Sequence, residues 1–325
     1  MSDLVVSGMR PTGSLHMGHY VGVIENWLDL QKKYPCYFFL ADWHALTSNY
    51  QKVEVIKQSR YEYVKGWIAS GIDAEKCVVY NQSAISEVLN LSQLFLCLTP
   101  PGWAERSPSW KDLKTNPDKV HDNLGFFTYP VLQSADISIM NGKFVPVGED
   151  QVAHVELSRD IVKKFNRLYR GKLKEPEAIL TKVSRLVGTD GDSKMSSSKK
   201  NAITLRETEK SLQKKVNKMV TDMKRMGIND AGNPDNCSVF SYHKIFSPNE
   251  TVVEVDSGCR KAQLGCGECK AKLGGFLKEK FIPIAEKMNA ISDADVDDIL
   301  SSGNKRAKEL AGRTWDEVQT SIKFL

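Results

Sequence analysis

Residues 4–19 read Leu-Val-Val-Ser-Gly-Met-Arg-Pro-Thr-Gly-Ser-Leu-His-Met-Gly-His, and this stretch decides the fold. Its apolar start, Leu4–Ser7, predicts a buried strand, and the loop Gly8–Gly13 leads into a helix. That helix is predicted to begin near Leu15 and to end at Tyr34-Pro35. Strand, glycine-containing loop and helix in this order are typical of a parallel α/β sheet, whose ligands bind at the carboxyl ends of strands.

The same alternation continues through the first half of the chain. Cys36–Ala41 is nearly all apolar and predicts a strand buried on both faces, and Cys77–Tyr80 and Phe144–Val147 predict two more. Residues 87–140 are predicted as a mostly helical insertion with an interruption near Pro100. This pattern favours an open sheet covered by helices.

From residue 204 onward the sequence is helical, lysine-rich and poor in strand patterns, and residues 296–325 are predicted to form two closing helices. We therefore predict an α/β fold. A parallel-sheet domain covers residues 1–205, and a smaller all-α domain covers residues 206–325.

Composition and charge narrow the classes of function. The chain has 325 residues and a net charge of +5, from 45 Lys and Arg against 40 Asp and Glu. The sequence has no run of about 18 apolar residues, which a membrane-spanning helix would need. Its first residues do not resemble a signal peptide, so we expect a cytoplasmic protein. Residues 199–225 hold nine Lys or Arg against three Asp or Glu. This surface fits either a polyanionic partner or a solvated helix face.

The first chemical motif is the turn His16-Met17-Gly18-His19, which follows the first predicted strand. A helix N-terminus offers free backbone N–H groups to phosphate, and His16 and His19 lie on one face of its first turn. Gly18 lets a nucleotide approach the backbone closely. A helix start with two surface histidines, or a different nucleotidyltransferase, would carry the same turn.

The second motif is Gly188–Lys200, which combines glycines, lysines and hydroxyl side chains. A loop of this composition can close over a triphosphate, and Lys194 would neutralise the leaving pyrophosphate. Taken alone, the same string would also suit a solvated, serine-rich linker.

Together the two motifs resemble the HIGH and KMSKS elements of class I aminoacyl-tRNA synthetases. Four further stretches resemble the bacterial-type tryptophanyl-tRNA synthetases in particular, so the resemblance spans most of the chain. They are Ser7–Gly13, Ala41–Thr47, Tyr129–Asp136 and Val145–Gln151.

This resemblance implies a Rossmann-like catalytic domain in residues 1–205 and an α-helical anticodon-binding domain in residues 206–325. It also implies Mg-ATP as co-substrate, tRNA(Trp) and L-tryptophan as partners, and a symmetric homodimer. His16, His19 and Lys194 are implied as catalytic residues that stabilise developing charge. The implied ATP-binding residues are Arg10, Pro11, Thr12, Gly18, His19, Gly148, Glu149, Asp150, Leu186, Lys194, Met195, Ser196, Ser197 and Ser198. The sequence departs from the family at Ser197, where the loop usually carries a second lysine.

The resemblance also implies which side chains bind the amino acid. Asp136 would accept the indole N–H, while Gln151, Gln133 and Tyr129 would bind around the α-amino group. A buried carboxylate discriminates against ligands that lack its donor. Tyrosine enzymes use a similar Tyr129, Gln133 and Asp136 arrangement, so tyrosine–tRNA ligase remains an alternative, and so does an Asp136 that merely caps a helix.

The seven cysteines fall into two groups. Cys36, Cys77 and Cys97 lie in apolar segments, where a small buried side chain suffices. Cys237, Cys259, Cys266 and Cys269 are separated by 21, 6 and 2 residues, and four thiolates suit either Zn²⁺ or a 4Fe–4S cluster. A subset of tryptophanyl-tRNA synthetases carries a similar cysteine element, and this resemblance implies the 4Fe–4S cluster, with structural zinc as the alternative.

Two other classes of protein stay open. An adenylyltransferase with a small acceptor would not need the basic helical region or the four late cysteines. A catalytically silent paralogue, kept as an RNA-binding module, would be expected to have lost His16, His19 or Lys194, and all three are present.

Overall fold

The computed structural model describes residues 3–116, 120–181, 186–197, 199–227 and 229–323. The chain divides into two compact units. Unit 1 contains Met1–Gly13, Val23–Ser184 and Ser292–Leu325, and unit 2 contains Ser14–Gly22 and Arg185–Ile291.

Unit 1 is built on a five-stranded parallel sheet, with the strand order β3-β2-β1-β4-β5. The strands are β1 Val5–Met9, β2 Cys36–Leu40, β3 Val78–Asn81, β4 Phe144–Val147 and β5 Glu177–Leu180. The strand order reverses direction between β1 and β4. In open α/β sheets this switch point opens a crevice at the carboxyl ends of the strands, where ligands bind.

The Rossmann-like parallel sheet predicted from the sequence is thus confirmed. Val5, Val6, Phe38 and Val79 are almost completely buried, as continuous apolar strands require. Strand β5 is not predicted from the sequence, because Glu177–Leu180 is short and begins with a charged residue.

Helices surround the sheet of unit 1. Their bounds are Glu25–Leu30, Asp42–Asn49, Val53–Ser70, Ser86–Leu98, Pro101–Ala104, Pro108–Thr115, Leu124–Ile139, Val152–Tyr169 and Asp293–Ile322, with 3-10 turns at Gln82–Ala84 and Glu149–Gln151. The predicted helical insertion therefore has four helices within the described residues 86–116 and 120–139. Gly71 closes the helix Val53–Ser70 with φ +111°, a conformation that glycine adopts without steric cost.

The prediction of two closing helices within residues 296–325 is wrong. A single helix, Asp293–Ile322, begins at a reciprocal cap in which the Asp295 N–H donates to Ser292 and the Ser292 N–H donates to Asp295. Its Ala307, Ala311 and Val318 lie in the main core of unit 1. Residues 292–325 therefore belong with the sheet, whereas the prediction grouped them with the helical domain.

Unit 2 is mainly α-helical. It contains the short helix Met17–His19 and the helices Glu209–Asn217, Ser238–Phe246, Asn249–Arg260 and Cys266–Ala290, with a 3-10 turn at Pro234–Asn236. The predicted helix from Leu15 to Tyr34 is interrupted by a π-helical turn at Tyr20–Ile24.

Candidate functional site

The loop after β1 holds Arg10, Pro11 and Thr12 at the carboxyl edge of the sheet. The Thr12 N–H donates to the Arg10 carbonyl at 2.9 Å, and the Gly13 N–H donates to Ser59 Oγ at 2.9 Å. Gly13 has φ +126°, in the region that favours glycine. The loop is therefore fixed against the helix Val53–Ser70. Its residues Arg10, Pro11 and Thr12 are among those predicted from the sequence to bind ATP.

The loop after β4 reaches the same edge, directly across the switch point. Gly148 precedes the 3-10 turn Glu149–Gln151, and the Gln151 N–H donates to the Gly148 carbonyl at 2.9 Å. Glu149 and Asp150 are exposed. Because β1 and β4 are neighbours, the predicted ATP-binding residues of unit 1 follow two adjacent strands.

In unit 2, the turn that carries His16 and His19 pairs with a distant segment. The Met17 N–H donates to the Ile203 carbonyl at 2.9 Å, and the Leu205 N–H donates to the Leu15 carbonyl at 3.0 Å. Leu15 and Met17 are fully buried, so these bonds lie in the core of unit 2.

The loop of the second motif packs on this histidine turn. The Gly18 N–H contacts the Met195 sulfur at 3.4 Å, and Ser197 Oγ donates to the Ser14 carbonyl at 3.1 Å. A Cβ on Gly18 would lie 3.0 Å from His16 Nδ1, so this position favours glycine. The structure thus brings the two motifs together within one unit, about 175 residues apart in sequence; Ser198 lies outside the described residues.

Leu186 and Lys194 mark the two arms of this loop. The Met195 N–H donates to the Leu186 carbonyl at 3.0 Å, and Val187 pairs with Lys194 in an antiparallel bridge. Leu186 is buried, and Ser196 is half-buried.

The two histidines of the turn stack on each other, with ring centroids 3.7 Å apart. Burial, and secondly the positive charge of Lys194, lower the pKa of His16 to about 4. His16 is therefore neutral at pH 7, and Lys194 carries the charge. Among the described residues, His16 Nδ1 is buried without a hydrogen-bond partner.

Asp136 is buried in unit 1 and is held by two side chains that the sequence analysis did not assign. His44 Nε2 lies 2.8 Å from Asp136 Oδ2, and Gln82 Nε2 donates to both carboxylate oxygens at 2.7 and 2.9 Å. Burial raises the pKa of Asp136, and its bonds to His44 and Gln82 oppose that rise. His44 and Gln82 follow β2 and β3, so this cluster lies at the same edge of the sheet as the loops after β1 and β4.

Tyr129 and Gln151 meet at a third unassigned side chain, His154. The Gln151 Oε1 lies 2.9 Å from His154 Nδ1, and the Tyr129 hydroxyl lies 3.2 Å from His154 Nε2. Burial lowers the pKa of His154 to about 4, so the ring is neutral and binds both neighbours by hydrogen bonds. Gln133 lies half-buried on the same helix as Tyr129 and Asp136.

The sequence held only a weak signal for these three residues. His44 and His154 are two of only six histidines, and each has apolar neighbours on both sides in the sequence. A buried histidine of that kind more often completes a core hydrogen bond than a binding site, and Gln82 carries no distinguishing pattern.

The four late cysteines lie near one another in unit 2. Burial, and then the neighbouring Cys237, Cys259 and Cys266, raise the pKa of Cys269 to about 12. Across the described ranges, however, no group of three or more His, Cys, Asp or Glu side chains has an arrangement that could hold a metal ion. The predicted metal site is therefore not shown by the geometry.

Unit 1 thus has a parallel sheet with two loops at its switch point, and unit 2 carries the histidine turn and the lysine loop. The chain belongs to the family of class I tRNA synthetases for tryptophan and tyrosine (W and Y), whose sequence profile matches residues 3–281. In the part of the chain described, no helix is both long and apolar enough to cross a membrane.

Individual relatives agree with this family over the full length. The chain is 44% identical to the tryptophan–tRNA ligase of Thermotoga maritima, covering 99% of each chain, and 36% identical to that of Aquifex aeolicus, covering 98% and 99%. It resembles the crystal structure of tryptophanyl-tRNA synthetase from Campylobacter jejuni complexed with ADP and tryptophan. That likeness has a TM-score of 0.86 at 33% identity, over 99% of this chain and 100% of the other.

Proposed function

We propose that this chain is a tryptophan–tRNA ligase, which activates L-tryptophan with Mg-ATP and then transfers it to tRNA(Trp). One observation carries the proposal: in unit 2 the histidine turn and the Lys194 loop contact each other, through the Gly18 N–H at the Met195 sulfur and the Ser197 hydroxyl at the Ser14 carbonyl. Charge stabilisation on a triphosphate would use His16, His19 and Lys194 from these two segments. The full-length relatives favour tryptophan, since those compared above are tryptophan–tRNA ligases.

The chemistry needs no protein nucleophile. A carboxylate oxygen of tryptophan attacks the α-phosphorus of ATP, the bond to the β-phosphate oxygen breaks, and tryptophanyl-adenylate and pyrophosphate form. A hydroxyl of the terminal tRNA ribose then attacks the carbonyl carbon, and AMP leaves. The protein contributes orientation and stabilisation of the charge on the phosphates.

The residues of unit 2 would stabilise the phosphates in two ways, by positive charge and by hydrogen bonds. Lys194 supplies a positive charge to the leaving pyrophosphate, while neutral His16 and its stacked partner His19 act as N–H donors. Mg²⁺ enters with the ATP, whose phosphate oxygens it neutralises. The backbone of Gly18, and the segment Met195–Ser198, would lie along the triphosphate.

The loops of unit 1 would bind the other parts of the substrates. Arg10, Pro11 and Thr12 follow β1, and Gly148, Glu149 and Asp150 follow β4, so both loops can line a nucleotide at the switch point. By resemblance to the family, Leu186 is proposed as a further ATP-binding residue.

Tryptophan would be selected by Asp136. Its carboxylate would accept the indole N–H, since Gln82 and His44 already hold both oxygens in one orientation. Tyr129 and Gln151, linked through His154, together with Gln133, would bind the α-amino group.

Amino-acid-dependent exchange of labelled pyrophosphate into ATP tests this function, with tryptophan and tyrosine assayed separately. We expect exchange with tryptophan alone and its loss in the Lys194→Ala variant. Exchange with tyrosine alone would transfer the proposal to a tyrosine–tRNA ligase. Exchange with neither would indicate a catalytically silent RNA-binding paralogue, and charging of purified tRNA would then also be absent.

We further propose that the active protein is a homodimer. Unit 1 has an open cavity of about 440 Å³ lined by residues of three helices, among them Trp43, Leu89 and Leu132. Leu89 is 40% exposed and Leu124, beside the lining residue Asn123, is 79% exposed. A second copy of the chain would cover these apolar side chains. Leu89→Asp should then shift the sedimenting species from dimer to monomer, and an unchanged species would reject this interface.

The four late cysteines are proposed to hold a 4Fe–4S cluster, with structural zinc as the alternative. Their chemistry favours this: Cys237, Cys259, Cys266 and Cys269 are partly exposed and near one another, so their thiolates would repel, and a bound cation would relieve that repulsion. Protein purified without oxygen should contain iron and acid-labile sulfide, and a Cys266→Ser variant should contain less. Zinc without sulfide would favour the alternative, and neither element would reject the site.

The basic segment 199–225 and a second basic group, Arg260, Lys261, Lys270 and Lys272, are proposed to contact the tRNA backbone. This agrees with the proposed anticodon-binding role for the helical residues 206–291 and with a cytoplasmic enzyme. Charging should then weaken steeply with added salt, whereas pyrophosphate exchange, which needs no tRNA, should change less.

A further inference from the structure

Asn201 directly follows the second motif, Gly188–Lys200, and is 3% exposed, although the chain around it is polar. We propose that Asn201 is a positioning residue, which sets the place of Lys194 by binding the loop backbone on both sides of it. The inference rests on the proposed function, in which Lys194 neutralises the leaving pyrophosphate.

The side chain of Asn201 contacts the loop before and after Lys194. Its Oδ1 accepts from the Ser196 N–H at 2.8 Å. Its Nδ2 lies 2.8 Å from Asp190 Oδ2, 3.0 Å from Ser193 Oγ and 3.3 Å from the Lys194 carbonyl oxygen. We call these five residues the Asn201 cluster. Four separate points of the loop thus converge on one amide.

The chemistry of the cluster fixes which way the amide points. A backbone N–H can only donate, so the atom facing Ser196 must be the carbonyl oxygen, and the NH₂ group must face Asp190 and the Lys194 carbonyl. Asp190 completes the set, since it also accepts from the Ser193 hydroxyl at 2.8 Å. An aspartate at position 201 would keep the bond to Ser196, lose both donors and face the Asp190 carboxylate.

Backbone features hold Asn201 in this place. The Thr189 N–H donates to the Asn201 carbonyl at 2.9 Å, and Lys200 has φ +56°, which turns the chain back onto the loop. A Cβ at Gly188 would collide with the Asn201 side chain, so this glycine permits the close approach. The loop is therefore closed on itself before any substrate contact is made.

For catalysis, these contacts determine where the ammonium group of Lys194 lies. Lys194 must place its ammonium group on phosphate oxygens, and a displacement of about 1 Å at a reacting group can reduce a rate by about 10²-fold. Removing the amide would free the backbone on both sides of Lys194 without touching the lysine itself.

The first experiment compares Asn201→Asp with Asn90→Asp, which makes the same change on an exposed face of the helix Ser86–Leu98. In tryptophan-dependent pyrophosphate exchange, we expect kcat to fall about 10²-fold for Asn201→Asp, with the KM for tryptophan changed less than about threefold. Asn90→Asp should leave both values unchanged. Full kcat in the Asn201→Asp variant would overturn the inference.

The second experiment uses a swap that a general loss of stability would not mimic. In the double variant Asp190→Asn with Asn201→Asp, the amide introduced at position 190 can donate to the carboxylate introduced at position 201, which still accepts from the Ser196 N–H. We expect this double variant to recover at least tenfold of the lost kcat. If Asn201→Asp does not fold, Asp190→Asn alone, at an exposed position, should lower kcat. Absence of both effects would overturn the inference.

The third experiment asks whether Asn201 acts through Lys194. Combining Asn201→Asp with Lys194→Ala should give the same residual exchange rate as Lys194→Ala alone, because residues that act as a unit are not additive. A further 10²-fold loss would overturn the inference. No exchange by the unaltered protein would instead reject the proposed function, which separates the two failures.

Discussion

Gln82 donates from Nε2 to both carboxylate oxygens of Asp136, at 2.7 and 2.9 Å, and so fixes the plane of a buried carboxylate. Its own Oε1 accepts from the backbone N–H groups of Trp43 and His44, at 3.1 and 3.4 Å. Because the oxygen is occupied by N–H donors, the NH₂ group must face Asp136. The end of β3 therefore orients a side chain on the helix Leu124–Ile139, where tryptophan is proposed to bind.

The first prediction follows from this contact. Gln82→Leu should raise the KM for tryptophan in pyrophosphate exchange by about tenfold or more, since losing a buried partner costs about 1–3 kcal/mol. Gln58→Leu makes the same change on the exposed face of the helix Val53–Ser70 and should leave the KM unchanged. Equal KM values for the two variants would show that Gln82 does not orient the binding carboxylate.

The second prediction concerns His16, whose pKa of about 4 makes it a neutral donor at pH 7. His16→Ala should lower kcat for exchange about 10²- to 10³-fold, because one preorganised donor is lost. His16→Asn keeps an N–H donor and should retain more of the rate. A wild-type rate that falls as the pH rises through 6.5, and no longer does so in His16→Asn, would show instead that the imidazolium is the active form.

The third prediction is a pH dependence of stability. The pKa of His154 is about 4 in the folded protein and 6.5 in the unfolded chain, so the folded state binds fewer protons between these values. Stability is therefore gained as the pH rises and lost as it falls. Between pH 7 and pH 5 this histidine should cost about 2 kcal/mol of the free energy of unfolding.

Urea denaturation of His154→Gln at the two pH values measures that contribution. The variant should lose about 2 kcal/mol less than the unaltered protein on going from pH 7 to pH 5. His121→Gln, at a half-buried position beside Phe126, serves as the matched control and should keep the full pH effect. The same loss in both variants would contradict the low pKa of His154.

The fourth prediction tests the place of the last helix on the sheet. A Cβ on Gly303 would collide with the carbonyl group of Val79, whereas a Cβ on Gly312, in the same helix, would meet no atom within 4 Å among the described residues. Gly303→Ala should lower the free energy of unfolding by about 1–3 kcal/mol, and Gly312→Ala should raise it by about 0.5–1 kcal/mol. Urea denaturation measures both, and equal effects would contradict the packing of this helix on β3.

The prediction from sequence was strongest where the signal is local. The run Leu4–Ser7 and the motifs around His16 and Lys194 were recognised because an apolar strand, a glycine turn and a lysine loop each lie within a few residues. The catalytic family followed from those motifs in order. The last helix was misjudged, since its place on the sheet rests on the close approach of Gly303 to Val79, which no local pattern reports.

The residues proposed to bind tryptophan also combine a signal in the sequence with contacts between distant segments. Asp136 was identified by resemblance, but its partners His44 and Gln82 lie 92 and 54 residues away in sequence. Only the parallel pairing of β2 and β3 brings the chain after each strand to one edge. Asn201 lies outside the motif as written and became visible only through its contacts with Asp190 and Ser196.

By itself, the sequence determined the alternation of strands and helices, the chemistry of the turn His16–His19 and the identity of the lysine at 194. These follow from periodicity and residue type, which act over a few residues. The tertiary structure decided which side chains meet: the partners of Asp136, the neutral state of His16 and the amide that holds the Lys194 loop. Those properties depend on burial and on contacts between distant segments, which exist only after the strands have paired and the helices have packed.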